Sequence, residues 1–186
     1  DTRQHIIEQS AILFNKQGFA GTAMSDIMTA TGLRKGGIYN HFSSKDEIAL
    51  AAFDHAFERL NAYFNAQLEG ITSPLQRLVV FIESFGVYRD EPPFVGGCPI
   101  MNTAIDADDG SHPFYPTLRA KALEALSIWE HIIRRRLQKA IAAGEARPDT
   151  DIAGFASLAI SSLEGAVMLS RIHDDFSHLD RVIAHL

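Results

Sequence analysis

Side chains suited to contacting nucleic acid are concentrated in one short stretch of the chain. Arg34 and Lys35 could bind phosphate or a guanine edge, and Asn40 could pair with the edge of an adenine. Tyr39 and His41 could donate hydrogen bonds to phosphate oxygens. The chemistry that these residue types support is binding to double-stranded DNA.

The distribution of charge is compatible with this binding, although the 186-residue chain has a net charge of −6. Residues 1–50 carry five basic and five acidic side chains, whereas residues 51–186 carry 12 basic and 18 acidic ones. No acidic residue lies between Arg34 and Lys45. Local positive potential governs phosphate binding more than whole-chain charge does. Charge alone leaves an ordinary solvated surface as the alternative.

Residues for other kinds of site are missing or poorly spaced. The sequence has no P-loop, no G-x-G-x-x-G and no G-x-S-x-G motif. Its eight histidines are scattered and no Glu-x-x-His pair occurs. Asp106, Asp108 and Asp109 fit a turn before Gly110 better than a cation site, and Arg134 to Arg136 are interpreted as surface charge. We therefore expect no enzymatic activity, no metal and no cofactor.

Cys98 is the only cysteine, which excludes an intramolecular disulfide and a Cys-based zinc site. A chain with one thiol fits a reducing, cytoplasmic compartment. Cys98 precedes a predicted helix, where a thiol pKa is lowered, so a redox sensor is one interpretation. A small buried residue at a tight turn is the favoured alternative.

Apolar periodicity predicts helices throughout and no alternating strand pattern. The first three helices are predicted over residues 4–17, 23–31 and 35–41. Gly18 and Gly32 are expected to end the first two, and Thr22 is expected to cap the second. The second and third helices, joined by a glycine turn, form a helix-turn-helix arrangement whose last helix could enter a major groove. Gly36 and Gly37 disfavour helix by about 1 kcal/mol each, which we interpret as room for the sugar-phosphate backbone.

Longer helices follow. Ser44 and Glu47 form a predicted capping box that opens a helix over residues 45–68. Further helices are predicted over residues 74–88, 99–107, 116–143, 151–172 and 177–186. Asp149 or Thr150 is expected to cap the penultimate helix and Ser177 the last. The apolar stretch 152–170 is long enough to span a membrane, but Glu164 and three serines in its middle favour a buried helix.

A family resemblance covers about residues 4–53. Its carriers are Gly18-Phe19, Gly21-Thr22, Asp26-Ile27, the run Thr31-Gly32-Leu33-Arg34-Lys35-Gly36-Gly37-Ile38-Tyr39-Asn40-His41-Phe42, and Lys45-Asp46-Glu47. These residues resemble the DNA-binding region of bacterial TetR-family (TetR/AcrR-like) transcriptional regulators. Gly37 departs from the Ser, Thr or Ala that is usual in the family, and Met28 departs from a usual Ala.

The resemblance implies an all-α protein with a three-helix helix-turn-helix DNA-binding domain over residues 1–46. Residues 47–186 would form a helical effector-binding and dimerisation domain. The implied function is that of a ligand-responsive repressor, a homodimer through its last two helices, that a small apolar effector releases from a pseudo-palindromic operator. The expected DNA contacts are Thr22, Arg34, Lys35, Gly37, Tyr39, Asn40, His41 and Lys45.

The effector would act by favouring one tilt of the helix 45–68, which begins in the first domain and ends in the second. Expected pocket residues are Phe64, Phe85, Tyr88, Met101, Ile105, Trp129 and Met168, with Asn102 and Glu164 as polar anchors. The alternative is a helical small-molecule-binding protein or enzyme with an incidental helix-turn-helix-like pair. A regulator should expose Lys35, Tyr39, His41 and Lys45, whereas the alternative should bury Tyr39 or pair Lys45 internally.

Overall fold

The computed structural model describes residues 1–108, 110 and 112–186. Within these residues the chain forms ten α-helices and no strand, which confirms the predicted all-α fold. The helices are α1 Thr2–Gly21, α2 Met24–Thr31, α3 Lys35–Tyr39, α4 Lys45–Ala66, α5 Pro74–Glu83, α6 Val87–Asp90, α7 Pro99–Asp106, α8 Tyr115–Ala142, α9 Ile152–His173 and α10 Ser177–His185.

The described chain divides into two compact units. The first contains Asp1–Leu60 and Phe94–Glu124, and the second contains Asn61–Pro93 and Ala125–Leu186. Both α4 and α8 contribute residues to each unit. The first unit thus includes more than the predicted DNA-binding domain, because α7 and the start of α8 pack with α1 and α4. The functional boundary after residue 46 stays a prediction.

Two glycines shape the helix-turn-helix segment. Gly32 has a φ of 69° and ends α2 as predicted, since this left-handed backbone favours glycine. Gly18, with a φ of 74° and a ψ of 172°, interrupts α1 where the sequence predicted its end, and a short further helical segment reaches Gly21. Below the turn, α2 and α3 pack on a buried cluster that comprises Ile6, Ile7, Ile27, Ile38, Phe42 and Ile48.

Two predicted caps in this segment are wrong in detail. Ala23, not Thr22, is the N-cap of α2, and the Asp26 carboxylate accepts the Ala23 N–H at 2.7 Å. At α4 the Ser44 hydroxyl accepts from the Glu47 N–H at 3.2 Å as expected. The Glu47 carboxylate, however, accepts from the backbone N–H and the hydroxyl of Ser43, at 2.7 and 2.8 Å.

Helix ends in the second unit also differ from the prediction. The expected helix 74–88 is divided into α5, a 3-10 turn over Ser84–Gly86, and α6. Asp151 caps α9, because its carboxylate accepts the Gly154 N–H at 2.9 Å. Asp149 and Thr150 are therefore not the caps. Phe176 is the N-cap of α10, and Ser177 is the first residue of that helix.

Candidate functional site

The outer side of the helix-turn-helix segment is polar and accessible. Arg34, Lys35, Asn40 and His41 are exposed, and Tyr39 is 42% exposed. The Lys35 ammonium lies 5.6 Å from the centre of the Tyr39 ring. Burial of Ile38 and Phe42 in the cluster beneath α3 fixes which side of this short helix faces outward. The result is a small surface of two cations, an amide, a phenol and an imidazole.

The fold itself does not require the two adjacent glycines of α3. A Cβ on Gly36 would have no neighbouring atom within 4 Å. A Cβ on Gly37 would meet the Leu33 side chain at 3.6 Å, which is ordinary van der Waals contact. Neither glycine has a positive φ. Packing and backbone conformation would therefore admit alanine at both positions. Without these side chains, the α3 backbone lies closer to the molecular surface.

Two of the expected DNA contacts have side-chain polar atoms that are bonded to other protein groups. The Lys45 ammonium donates to the carbonyls of Phe19 and Thr22, at 2.8 and 3.0 Å, and lies 4.0 Å from the Phe19 ring centre. Thr22 is fully buried and donates its hydroxyl to the Gly18 carbonyl at 2.8 Å. The expected exposure of Lys45 is therefore wrong, and the Thr22 side chain does not reach the surface.

Burial lowers the pKa of Lys45 from its ordinary value, while the nearby Asp46 and Asp106 carboxylates oppose the change. The ammonium loses water but keeps two carbonyl acceptors. The Lys45 side chain thus links the start of α4 to the end of α1 through charged hydrogen bonds.

Asn102 and Asp106 of α7 are also bonded to α1. The Asn102 amide donates to the Asn15 carbonyl at 3.1 Å, to the Asn15 side-chain oxygen at 2.9 Å and to the Gly96 carbonyl at 2.8 Å. Asp106 accepts the Phe19 N–H at 2.7 Å. Asn102, expected as an effector anchor, is therefore occupied by protein groups. The bonded position of Asp106 likewise differs from the expected turn before Gly110, and Asp109 lies outside the described residues.

Several expected effector residues do come together in the second unit. The rings of Phe64, Phe85 and Trp129 are centred 5.2 to 5.7 Å from one another, and Tyr88 lies 6.1 Å from Phe85. All four residues are at most 3% exposed. Phe81, which sequence reasoning missed, joins the same set at 5.1 Å from Phe64. We call Phe64, Phe81, Phe85, Tyr88 and Trp129 the aromatic cluster.

The remaining expected effector residues are dispersed. Ile105 is 63% exposed on α7 and Met168 is 38% exposed on α9, so neither side chain is enclosed as a pocket wall would be. Met101 is half-buried and belongs to the first unit, apart from the aromatic cluster. Glu164 is buried in α9 of the second unit. No signal in the amino-acid pattern indicated this division, since α7 follows α5 and α6 of the second unit along the chain.

Cys98 is completely buried as the N-cap residue of α7. Its burial agrees with the structural interpretation of this thiol rather than with an accessible sensor. Within residues 1–108, 110 and 112–186, no group of three or more His, Cys, Asp or Glu side chains is placed to hold a metal ion.

Comparison with known proteins places this geometry in a family. Residues 6–52 match the family described as "Bacterial regulatory proteins, tetR family", and residues 74–186 match "Tetracyclin repressor-like, C-terminal domain". The HTH-type transcriptional repressor DhaR of Mycobacterium sp. (strain GP1) is 25% identical over 97% of this chain and 88% of that protein.

Two solved structures are more similar still. A TetR transcriptional regulator from Chloroflexus aurantiacus J-10-FL is 46% identical, with a TM-score of 0.93 over 99% of this chain and 91% of that chain. A TetR-family regulator from Cytophaga hutchinsonii is 38% identical, with a TM-score of 0.89 over 100% of this chain and 90% of that chain. With an exposed polar surface on its third helix and family matches over both of its halves, this chain belongs to the TetR family of ligand-responsive, DNA-binding transcriptional regulators.

Proposed function

We propose that this protein is a cytoplasmic repressor that binds a pseudo-palindromic operator as a homodimer. The observation that carries the proposal is the polar outer side of α3, held outward by the buried side chains of Ile38 and Phe42. A helix presented in this way fits the major groove of B-DNA, which is about 12 Å wide. A second copy would place an identical helix about 34–36 Å away, in the next turn of the groove.

The residues of this surface divide into two roles. Arg34, Lys35, Tyr39 and His41 would hold phosphate oxygens or a guanine edge, and Asn40 would read an adenine. Gly37 would allow close approach of the backbone. Thr22 and Lys45 would contribute indirectly, by fixing the junction of α1, α2 and α4, because their polar atoms are bonded to backbone carbonyls.

Dimerisation through α9 and α10 is supported by the exposed apolar surface of α9. The α9 helix is long and apolar enough to cross a membrane, and only 33% of its most apolar segment is buried within one copy. The exposed apolar side chains include Leu158, Leu169 and Ile172, at 55%, 40% and 73% exposure. In a regulator, a second copy of the chain rather than lipid is the partner that would cover this surface.

A small, largely apolar effector would bind beside the aromatic cluster. Phe64 belongs to this cluster and lies on α4, whose first residue, Lys45, is bonded to the end of α1. An effector that packs better against one position of α4 would favour one arrangement of the two recognition helices. It would act only through its different affinities for the two states. Within the first unit, α7 is also bonded to Asn15 and Phe19 of α1.

Binding to bulk duplex DNA over a range of salt concentrations tests the DNA-binding surface. We expect tight binding at low salt and a steep linear fall of log K with log [salt]. The double variant R34A/K35A should weaken binding and reduce the magnitude of this slope by about one for each phosphate that the variant no longer binds. Arg147→Ala removes an exposed arginine of the second unit and serves as the control. Equal slopes for the double variant and the control would overturn the assignment of this surface.

A further inference from the structure

Four basic side chains line one groove of the second unit. Arg77 comes from α5, whereas Arg135, Arg136 and Lys139 come from α8. The groove has a volume of about 340 Å³, and its other lining residues are Asn65, Thr72, Pro74 and Ile132. A volume of this size suits a small molecule. The surrounding part of the chain is acidic on balance, so this concentration of positive charge is local.

Helix geometry explains how the arginine run of α8 divides. Ile132, Arg135, Arg136 and Lys139 are spaced at i, i+3, i+4 and i+7, which places them on one side of the helix. Arg134 instead pairs with Glu130 at 2.5 Å, one turn before it, and does not line the groove. The interpretation of the run as surface charge therefore holds for Arg134 and Arg135, which are exposed, whereas Arg136 is half-buried.

Arg136 and Arg77 are half-buried, whereas Arg135 and Lys139 are exposed. Arg136 also contacts an aromatic ring. Its guanidinium carbon lies 5.1 Å from the centre of the Phe81 ring, and one of its nitrogens donates to the Arg77 carbonyl at 3.4 Å. Burial and the neighbouring charge of Arg77 lower the pKa of Arg136 to about 10. Both causes disfavour the cation, so a negatively charged group in the groove would relieve an unfavourable arrangement.

No protein carboxylate supplies that negative charge among the residues that the structure describes. None of the four cations forms an ion pair there. The Glu145 carboxylate, near the start of α5, accepts instead from the Ser73 hydroxyl and the Leu75 N–H, at 2.8 and 2.9 Å. Arg77 donates to the carbonyls of Leu68 and Ile71, at 3.0 and 2.9 Å, which fixes it at the α4–α5 turn.

We propose that this groove binds a phosphate-bearing small molecule through Arg135, Arg136 and Lys139, beside the fixed charge of Arg77. Arginine forks match the paired oxygens of phosphate, and lysine adds a compact charge. Four cations exceed what a single carboxylate would neutralise, which favours a multiply charged phosphate group. Ile132 and Pro74 offer the apolar surface against which an organic remainder would pack.

Titration with pyrophosphate, followed by calorimetry and by NMR of the arginine side chains, tests this proposal on the full chain without DNA. The ionic strength is held low and constant with chloride. The double variant R135Q/K139Q changes two exposed side chains of the groove, and Arg134→Gln is its matched control on the same helix. Circular dichroism melting of both variants should match that of the unmodified chain, which establishes that each is folded.

We expect saturable pyrophosphate binding that is equal in the unmodified chain and the Arg134→Gln variant. The double variant should bind about ten-fold more weakly or worse, because it lacks two charge-assisted hydrogen-bond donors. No saturable binding to the unmodified chain, equal weakening in both variants, or equally tight binding of acetate would each overturn the proposal. The result is independent of operator binding, since R135Q/K139Q should retain duplex affinity even when it no longer binds pyrophosphate.

Discussion

The Lys45 ammonium lies between two backbone carbonyls, 2.8 Å from the Phe19 oxygen and 3.0 Å from the Thr22 oxygen. Lys45→Met would keep most of the apolar stem and remove the charged donor. We expect a decrease of about 1.5–3 kcal/mol in the free energy of unfolding, the usual range for hydrogen bonds of a charged group. Urea unfolding measures this decrease.

Lys35→Met is the control for this substitution, because the Lys35 side chain is exposed on the outer side of the same unit. It should change stability little and weaken DNA binding. Equal stability of the two variants would contradict the role of Lys45 in linking α4 to α1. Internal pairing of Lys45 was the sequence criterion against a DNA-binding protein. That criterion does not separate the two classes here, because Lys45 holds the start of α4 in place while Lys35 and Tyr39 remain exposed.

The Glu47 carboxylate supports the start of α4 in a pH-dependent way. Hydrogen bonds from the backbone N–H and hydroxyl of Ser43 hold the pKa of Glu47 below its ordinary value. A lowered pKa contributes stability above the ordinary value, and this contribution is lost as the pH falls through the folded-state pKa. The Tm advantage over Glu47→Gln should therefore be constant near neutral pH and shrink below about pH 4.

Thermal melts across the acidic range up to neutral pH measure this advantage. Glu58→Gln, at an exposed position of the same helix, should give a curve parallel to that of the unmodified chain. A Glu47→Gln difference that stays the same down to the lowest pH would show that the carboxylate charge does not support α4.

The α3 helix combines a sequence of low helix propensity with a position at the protein surface. It spans only Lys35–Tyr39 and contains two glycines that neither packing nor backbone conformation requires. The helix is held by Ile38 and Phe42 rather than by its own propensity. The two glycines lower the helix stability of α3 without a reason in the fold. We propose that their function is to let DNA approach the backbone closely.

Gly36→Ala separates these two effects. The substitution should raise the free energy of unfolding by about 0.5–1 kcal/mol, because alanine favours helix and its Cβ meets no neighbour within 4 Å. Duplex affinity should fall, since the added methyl group would stand between the backbone and the sugar-phosphate chain. Chemical denaturation and a binding titration on the same preparation measure both. A more stable variant with unchanged affinity would refute the close-approach interpretation.

The exposed apolar surface of α9 is not covered by any other part of the described chain in a single copy. Leu158→Glu would place a charge at a position that is 55% exposed in one copy and that we expect to be buried between two. We expect a shift from dimer to monomer in sedimentation velocity and weaker operator binding, because burying an unpaired charge at an interface is costly.

Leu123→Glu is the matched control, at a leucine of α8 that is 64% exposed. It should leave the dimer intact. If both variants dissociate equally, or if neither does, the interface lies elsewhere. The symmetric contact doubles the effect of each substitution, so a modest local cost becomes a large shift in the monomer–dimer equilibrium.

The sequence alone determined the features that depend on neighbours along the chain. Apolar spacing predicted the helices of the helix-turn-helix segment and the long α4, α8 and α9. Gly18 and Gly32 marked two helix ends because a left-handed backbone favours glycine. The same local pattern predicted which residues of α3 face outward. Because Ile38 and Phe42 are buried, the polar residues lie on the opposite side of the helix.

Only the tertiary structure decided which polar side chains are already engaged. Lys45 finds its acceptors 26 and 23 residues away, and Asn102 finds Asn15 at a separation of 87. The basic groove likewise joins Arg77 to residues of α8 that lie far along the chain. Spacing carries no information on such pairs, because they depend on how helices cross rather than on helical periodicity. From the sequence alone, a charged side chain is predicted to lie at the surface. Only the packed structure shows whether a carbonyl, another cation or solvent lies beside it.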